Sequence, residues 1–186
     1  MTYLETQRLI IRDWTEDPAD LARIFDIYSQ WEVARWLGAQ PRALEDPSEA
    51  ASVVRRWHAA TEGYGETYGI WAVQARDSGL VVGTVLLKPM PGADHQPTSD
   101  IEVGWHLHPD AWGKGYATEA ARTLIDRAFA TGLRQVYAIV RPGNAASIAV
   151  TRRLGMTPIG LRSDWYGGME VETFVLTANE ERPGAA

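Results

Sequence analysis

The chain has 186 residues, a net charge of −6 and no cysteine. The absence of cysteine excludes disulfides, thiol catalysis and Cys-based zinc sites, so a reducing, cytoplasmic compartment is expected. The acidic balance argues against nucleic-acid binding, which needs a basic surface. No apolar run approaches the ~20 residues that cross a bilayer, so we expect no membrane partner. The length, without a repeat or a linker, predicts one domain over residues 1–186 with a polar tail from 179 to 186, acting as a monomer or homodimer.

The first third of the chain predicts one strand and two helices. Leu9–Arg12 is a short apolar run that is typical of a strand. Asp17 followed by Pro18 indicates the start of a helix. The segment 46–49 has the spacing of a capping box, which predicts a second helix that runs to about Glu62.

The middle of the chain predicts three strands. The segments 69–75 and 80–88 are apolar runs separated by a four-residue hairpin turn. The segment 89–99 carries three prolines and a glycine and predicts a loop. The strand predicted over 101–107 alternates, so its side chains divide between two faces of the sheet. One face carries Ile101, Val103, Trp105 and Leu107, and the other carries Glu102, Gly104 and His106.

The second half predicts two more helices. From Ala117 onward an apolar stripe recurs at helical spacing, and Gly132 ends it as a C-terminal cap. Asn144 is a helix N-cap, and the helix that follows runs to Leu154 with Gly155 as its stop. Further strands are predicted over 135–140, 157–162 and 169–177. The order of elements implies a mixed sheet with helices on its faces.

The most informative stretch is HPDAWGKGYATEA at residues 108–120, between the strand 101–107 and a long helix. Glycines at a strand-to-helix turn let backbone N–H groups point outward and let a ligand approach closely. The unpaired N–H groups at the start of the helix attract an anion. The turn is no Walker loop, since no Gly-Lys-Ser/Thr occurs in the chain. The alternating strand also argues against a dinucleotide fingerprint. The sequence therefore predicts a phosphate-binding corner, with a tight turn that binds no ligand as the alternative.

This corner resembles the coenzyme A pyrophosphate motif of the GNAT superfamily of N-acetyltransferases, in which a basic or amide residue precedes the glycine frame. Trp112-Gly113-Lys114-Gly115-Tyr116-Ala117 fits the frame, with Trp112 in place of that first residue. The departure costs little if main-chain N–H groups hold the phosphates. The tryptophan and the following Gly-Lys-Gly-Tyr-Ala-Thr-Glu-Ala are similar to the acetyltransferases that modify the N-termini of ribosomal proteins, including their alanine acetyltransferases.

Two other segments carry the same likeness. They are Leu4-Glu5-Thr6-Gln7-Arg8-Leu9-Ile10-Ile11-Arg12 and Asn144-Ala145-Ala146-Ser147, the latter followed by Arg153-Leu154-Gly155-Met156. The resemblance covers about residues 3–177. It implies an α+β fold with a largely antiparallel, mixed sheet of about seven strands, splayed at its centre and flanked by four to five helices.

The resemblance also implies acetyl-coenzyme A as the cosubstrate and no metal. Its pantetheine arm is expected to lie in the splay along the strand 101–107. A bulge near Trp105–Leu107 is expected there, which would aim one N–H at the thioester carbonyl. The residues implied to bind the coenzyme are His106, Leu107, Trp112, Gly113, Lys114, Gly115, Tyr116, Ala117, Thr118, Asn144 and Ser147.

Acetyl transfer to an amine needs a base for the amine and an acid for the leaving thiolate. Glu102 is the candidate base, because it lies on the polar face of the central strand, and His106 is the alternative. Ser147 is the candidate acid. Many superfamily members carry a tyrosine one turn later in this helix, where this chain has Thr151. Each polar residue also has a structural interpretation, namely a salt-bridged Glu102 and a Ser147 that only caps its helix.

The amine is expected to enter between the N-terminal helices and the final hairpin, among aromatic residues. The candidates for its site are Trp31, Trp36, Trp165 and Tyr166, with Asp164 nearby. The predicted activity is acetyl transfer from acetyl-coenzyme A to a primary amine, either a protein N-terminus or a small molecule, by direct attack in a ternary complex. A non-catalytic acyl-coenzyme A sensor is the alternative, and an interaction domain that has lost the coenzyme is a third possibility.

Overall fold

The structure, a computed structural model, describes residues 4–178, so the predicted tail lies outside the described residues. Eight strands form one sheet in the order β1-β2-β3-β4-β5-β6-β8-β7. They are β1 Leu4–Glu5, β2 Leu9–Asp13, β3 Gly69–Ala75, β4 Val81–Pro91, β5 Pro97–Leu107, β6 Gln135–Val140, β7 Thr157–Arg162 and β8 Val171–Thr177. Neighbours are antiparallel except for β5 and β6. The predicted mixed, largely antiparallel sheet is confirmed, and β1 is a short edge strand that the sequence did not indicate.

The described part of the chain contains five α-helices, and none of these is long and apolar enough to cross a membrane. They are α1 Pro18–Tyr28, α2 Trp31–Ala34, α3 Glu49–Thr61, α4 Tyr116–Ala130 and α5 Ala145–Leu154. Asp17 precedes α1 with Pro18 at its first position, although the Asp17 side chain forms no capping hydrogen bond. Asn144 caps α5 by accepting a hydrogen bond from the Ser147 N–H at 3.2 Å, and Gly155 ends that helix in the left-handed conformation at φ 78°. The single turn α2 is too short to give a periodic signal, and the sequence did not predict it.

Apolar side chains pack on both faces of the sheet. On one face, α4 and α5 bury Leu124, Ile125 and Leu154 against the strands. On the other face, α1 and α3 bury a second cluster that includes Ile24 and Val54. Each face therefore holds helices by apolar burial, which is the dominant favourable contribution to folding.

The loop predicted over 89–99 is too long, because only residues 92–96 lie between the two strands. The β4–β5 ladder takes in both ends of the segment up to the pair Pro91 and Pro97, with a register shift between Pro89 and Pro91. Proline lacks a donor and is tolerated in strands at such irregularities. The Thr98 hydroxyl donates to the Met90 carbonyl at 2.6 Å, and the Met90 side chain is fully buried. Burial and this side-chain bond keep the ends of the segment extended despite its composition.

The sheet splays between its two parallel strands. β5 and β6 pair at one register position, Glu102 with Tyr137, and the ladder goes no further although β5 continues to Leu107. The splay leaves one edge of β5 unpaired over its last residues. Two cavities lie along this opening, and both are lined by residues from the end of β5.

Candidate active site

The glycine corner joins β5 to α4 through a short 3-10 turn at Pro109–Ala111. Gly113 and Gly115 have φ values of 74° and 80°, a conformation that side chains disfavour. Gly115 is the residue before α4 and brings no side chain to cap it. The N–H groups of the first turn of α4 are therefore available to an anion, as the sequence predicts.

Arg8 supports the corner from the β2 side. Its Nη1 donates to the Lys114 carbonyl at 2.9 Å, and its Nε donates to Glu119 Oε2 at 2.7 Å. The guanidinium also lies 5.0 Å from the centre of the Tyr116 ring. The hydroxyl of Thr6 donates to the other oxygen of Glu119 at 2.5 Å. The opening segment of the chain thus fixes the phosphate turn through side-chain bonds.

The first cavity has a volume of about 620 Å³ and opens onto the corner. The predicted coenzyme residues that line it come from the end of β5, the glycine corner and the start of α5. These lining residues are His106, Leu107, Trp112, Gly113, Gly115, Tyr116, Ala117, Thr118, Asn144 and Ser147. Lys114 is the one predicted residue outside the lining, and its carbonyl is turned to Arg8. Trp112 is half exposed and donates its indole N–H to the Leu107 carbonyl at 2.9 Å.

One polar atom of this cavity is left without a protein partner. The hydroxyl of Thr118, in the first turn of α4, is buried and has no hydrogen-bond partner among the described residues. A buried hydroxyl without a partner destabilises a fold, and such atoms are uncommon. A ligand phosphate at the start of α4 would supply the acceptor. The residues present therefore fit a diphosphate at this corner.

The second cavity has a volume of about 820 Å³ and contains the candidate base. Glu102 is partly buried on β5, and its carboxylate accepts a hydrogen bond from the Tyr166 hydroxyl. Lys88, opposite Glu102 on β4, has its Nζ 3.5 Å from Glu102 Oε2 and 2.5 Å from the Tyr166 hydroxyl oxygen. Burial, followed by the charge and the hydrogen bond of Glu102, raises the pKa of Tyr166, so its proton stays on the phenol. Glu102 is thus a carboxylate that faces a cavity, with one hydrogen-bond donor, Tyr166, and one cation, Lys88, beside it.

His106 lies on the same face of β5 as Glu102, four residues further along the strand. The hydroxyl of Tyr28 donates to Thr84 Oγ1 at 2.7 Å and lies 3.2 Å from His106 Nδ1. Burial, with a smaller contribution from the positive charge of Lys88, lowers the pKa of His106 to about 4. The imidazole is therefore neutral near pH 7 and binds a proton only weakly. It is the weaker candidate for the base.

The two cavities meet at the start of α5. Six residues line both of them: Trp36, Leu37, Trp105, His106, Asn144 and Ser147. Ser147 is partly buried and lines the region where the cavities join. Thr151, one turn later, is fully buried and donates its hydroxyl to the Ile148 carbonyl at 2.8 Å. The structure thus brings Ser147 to the junction and commits Thr151 to the helix backbone.

The predicted aromatic residues divide into two groups. Trp36 lines both cavities and Tyr166 lines the second. Trp31 is 54% exposed and lies outside the lining of either cavity. Trp165 is buried, packs against Tyr137 with the two rings tilted by 49°, and donates its indole N–H to Asp100 at 2.9 Å. The structure brings neither Trp31 nor Trp165 to the site, and Asp164 instead pairs with Arg162 at 2.5 Å.

The bulge predicted near Trp105–Leu107 is absent from the β4–β5 ladder. The register runs without interruption from Gly83 opposite Leu107 to Pro89 opposite Ile101. The absence of a side chain at Gly104 makes room for Leu86 on the neighbouring strand, because a Cβ at Gly104 would lie 3.2 Å from the Leu86 side chain. The unpaired edge of β5 arises from the splay rather than from a bulge.

Lys88, Tyr28 and Arg8 are site residues that the sequence did not indicate. Lys88 and Tyr28 reach the site from β4 and α1, at positions more than ten residues in sequence from any predicted motif residue. For Arg8 a signal existed, since it belongs to the opening motif, but nothing in the motif showed that it contacts the glycine turn. The pairing of β4 with β5 places Lys88 beside Glu102, a contact that only the folded sheet shows.

Comparison with known proteins shows the family and the fold of the chain. The family profile described as the acetyltransferase (GNAT) domain matches residues 8–157. The uncharacterised N-acetyltransferase YoaA of Bacillus subtilis is 30% identical over 183 residues, which is 96% of this chain and 97% of that protein. A GNAT-family acetyltransferase structure from Bacillus anthracis superposes with a TM-score of 0.76 at 20% identity, over 96% of this chain and all of that one.

A ribosomal-protein alpha-N-acetyltransferase, RimL, solved with coenzyme A, has the same fold. Its TM-score is 0.74 at 14% identity. The fold neighbours thus include the ribosomal-protein acetyltransferases that the glycine motif resembles, and the profile spans most of the chain, including that motif. The protein belongs to the GNAT family of acetyltransferases.

Proposed function

We propose that the protein transfers an acetyl group from acetyl-coenzyme A to a primary amine by direct attack in a ternary complex. The observation that carries the proposal is the meeting of the two cavities at Ser147 and Trp105. One cavity opens onto a glycine corner that suits a diphosphate. The other contains a carboxylate that suits an amine.

The first cavity is the donor site in this proposal. The diphosphate of the coenzyme lies on the N–H groups around Gly113 and Gly115, and Thr118 donates its buried hydroxyl. The pantetheine arm runs along the edge of β5 that β6 leaves unpaired, as an added strand does. This path places the thioester beside Ser147, where the cavities join.

The second cavity is the acceptor site, and Glu102 is the base. The amine gives a proton to the carboxylate directly or through one water, and the nitrogen then attacks the thioester carbon. Lys88 holds a positive charge beside this position, which disfavours the protonated amine. Tyr166 orients the carboxylate through its hydrogen bond. Holding both reactants in one place supplies much of the rate enhancement of such a reaction.

Ser147 is the acid. When the carbon–sulfur bond breaks, the electron pair leaves on sulfur, and the Ser147 hydroxyl gives its proton to the thiolate. The second proton that the nitrogen loses as it becomes an amide returns through water to the Ser147 oxygen, which restores the hydroxyl. Its place in the first turn of α5 is where the helix dipole favours a negative charge. Asn144 fixes that turn through its cap, so the hydroxyl is held at the junction.

Release of free thiol from acetyl-coenzyme A, measured over a panel of primary amines, tests the proposal. The wild-type chain should turn over at least one amine, and Glu102→Gln should lower kcat/KM by about 10²- to 10⁴-fold, because the base is lost. Affinity for the coenzyme should stay the same in that variant. Glu62→Gln, an exposed position at the end of α3, is the matched control and should behave as wild type.

Two outcomes would contradict the assignment. Tight binding of the coenzyme without turnover of any amine would indicate an acyl-coenzyme A sensor. Turnover that is equal in Glu102→Gln and wild type would remove Glu102 from the base role and leave the transfer itself standing.

A further inference from the structure

We propose that the acceptor amine carries an anionic group, a carboxylate or a phosphate, which the second cavity binds through Arg56 and Arg141. This inference rests on the proposed acetyl transfer to an amine, and it names the chemical class of that amine. Its starting point is the contrast between the charge of the cavity and the charge of the chain.

The second cavity is positive in a protein that is acidic as a whole. The chain has a net charge of −6. The cavity is lined by four permanent cations and two carboxylates, and His106 is neutral near pH 7. The cations are Arg42, Arg56, Lys88 and Arg141, and the carboxylates are Glu49 and Glu102. A concave site with excess positive charge favours a negatively charged ligand.

The two carboxylates neutralise two of the four cations. Arg42 pairs with Glu49 at 2.5 Å, and Lys88 lies 3.5 Å from Glu102. Within residues 4–178, neither Arg56 nor Arg141 forms an ion pair. The charge that remains in the cavity therefore belongs to these two arginines.

Arg141 is placed to act near the reacting amine. It follows the last residue of β6 and lines the second cavity together with Asn144 and Ser147, which also form the junction with the donor cavity. Its Nη2 donates to the carbonyls of Gly38 and Ala39, the latter at 3.0 Å. Its Nε is buried without a hydrogen-bond partner among the described residues. Carbonyl oxygens satisfy only part of this guanidinium, and its charge has no counter-ion there.

The apolar walls of the cavity suit the remainder of such an acceptor. Trp36, Trp57 and Trp105 line it beside the cations. An amine with a short apolar body and one anionic group would place its nitrogen at Glu102 and its charge at the arginines. Guanidinium groups bind both carboxylate and phosphate through paired N–H donors, so either anion meets the requirement.

A structural role for Arg141 predicts a different result. Its bonds to Gly38 and Ala39 anchor the segment between α2 and α3 over the cavity. If anchoring were its sole role, loss of Arg141 would weaken every acceptor equally. A role in recognition instead weakens only acceptors that carry the anion.

Matched pairs of acceptors with the same reacting amine separate these roles. The first pair is the dipeptide Ala-Phe as free acid and as C-terminal amide, and the second is phosphoethanolamine and ethanolamine. We expect kcat/KM to favour the anionic member of at least one pair by about tenfold or more, the range of a hydrogen bond to a charged group. The pair that shows the preference distinguishes carboxylate from phosphate.

Variants locate the preference. In Arg56→Gln and Arg141→Gln the ratio of kcat/KM for the anionic acceptor to kcat/KM for the neutral one should fall toward one, through a rise in KM for the anionic member that exceeds any change for the neutral one. Arg134→Gln removes the same charge from an exposed position outside both cavities and should keep the wild-type ratio.

The inference is overturned if neither pair shows a preference in wild type while both members turn over, a result that leaves the acetyl transfer intact. Equal losses for both members in Arg141→Gln, with no change in Arg56→Gln, would also overturn it. If no amine turns over, the proposed function fails, and calorimetric titration of the same pairs still decides the inference. Tighter binding of the anionic member would support it, and equal binding would overturn it.

Discussion

The two cavities that meet at Ser147 are built in different ways. The first cavity, which we propose as the donor site, is formed by the stretch from the end of β5 to the first turn of α4, together with α5 and the region of α2. Its phosphate corner offers main-chain N–H groups. The acceptor cavity is formed by side chains from α1, the α2–α3 segment, α3, β4, β5, β6 and the loop before β8. If the proposed roles hold, recognition by the main chain should tolerate side-chain changes such as Trp112, whereas recognition by side chains should make the choice of acceptor particular to this chain.

A large side chain at the glycine corner should give the strongest effect on the donor side. Gly115→Trp should abolish coenzyme A binding, because the indole fills the phosphate position. At about 100 times its dissociation constant, coenzyme A should stabilise the wild-type chain by about 2.7 kcal/mol, and this shift should vanish in the variant. Thermal unfolding with and without coenzyme A measures it.

Gly132→Trp is the matched control for that experiment. Gly132 also has a positive φ, at 93°, and a Cβ there would meet no atom within 4 Å. Both variants therefore carry backbone strain of about 1–2 kcal/mol, but Gly132 lies beyond the other end of α4. A coenzyme shift retained in Gly115→Trp would show that the phosphates bind elsewhere.

At the junction of the cavities, protonation of His106 should lower the free energy of unfolding. Burial lowers its pKa to about 4, against about 6.5 in an unfolded chain. The folded state therefore binds this proton less readily. The free energy of unfolding is therefore unaffected by this histidine above pH 6.5. It falls by on the order of 2 kcal/mol as the pH drops from 6.5 toward 4, because the unfolded chain binds the proton first.

Nuclear magnetic resonance titration of the four histidines measures this directly. The His106 ring should stay neutral at pH 5 and titrate near pH 4. Unfolding free energies measured between pH 7 and pH 4.5 should show a slope that His106→Gln reduces. Titration of His106 near pH 6.5 would mean that the ring is open to solvent and that Tyr28 does not enclose it.

Loss of Arg8, which binds the glycine corner through Lys114, should have a smaller effect on coenzyme binding. Arg8→Gln removes the hydrogen bond to the Lys114 carbonyl and the pair with Glu119, and we expect the dissociation constant for coenzyme A to rise about fivefold, or about 1 kcal/mol. Arg76→Gln is the control, because Arg76 binds the Thr6 carbonyl at 2.9 Å on the same edge without contacting the turn. Equal affinity in the two variants would limit Arg8 to a role in stability.

The difference between the cavities also explains how much the sequence could predict. The donor site depends on local signals, such as positive-φ glycines and the Asn144 cap, and the structure gathers nearly all the residues predicted for it. The splayed, mostly antiparallel sheet followed from the order of elements and the family resemblance. The acceptor site depends on pairings between distant strands, such as Lys88 with Glu102, which no local pattern encodes.

Two errors have the same origin in tertiary context. Prolines indicated a loop over the whole of 89–99, but burial of Met90 and pairing with β5 keep the ends of that segment in the sheet and leave a turn at 92–96. Aromatic enrichment indicated Trp165 as a substrate residue, but its bond to Asp100 and its contact with Tyr137 account for it within the fold. Composition identifies residue types, and only packing shows which surface they face.

A crystal structure of the complex with acetyl-coenzyme A would show where both ends of the coenzyme bind. We expect the diphosphate to lie on the N–H groups from Gly113 to Thr118 and the acetyl carbon to lie between Ser147 and the cavity that contains Glu102. A coenzyme that leaves the glycine corner empty, or whose thioester lies away from β5, would contradict this expectation.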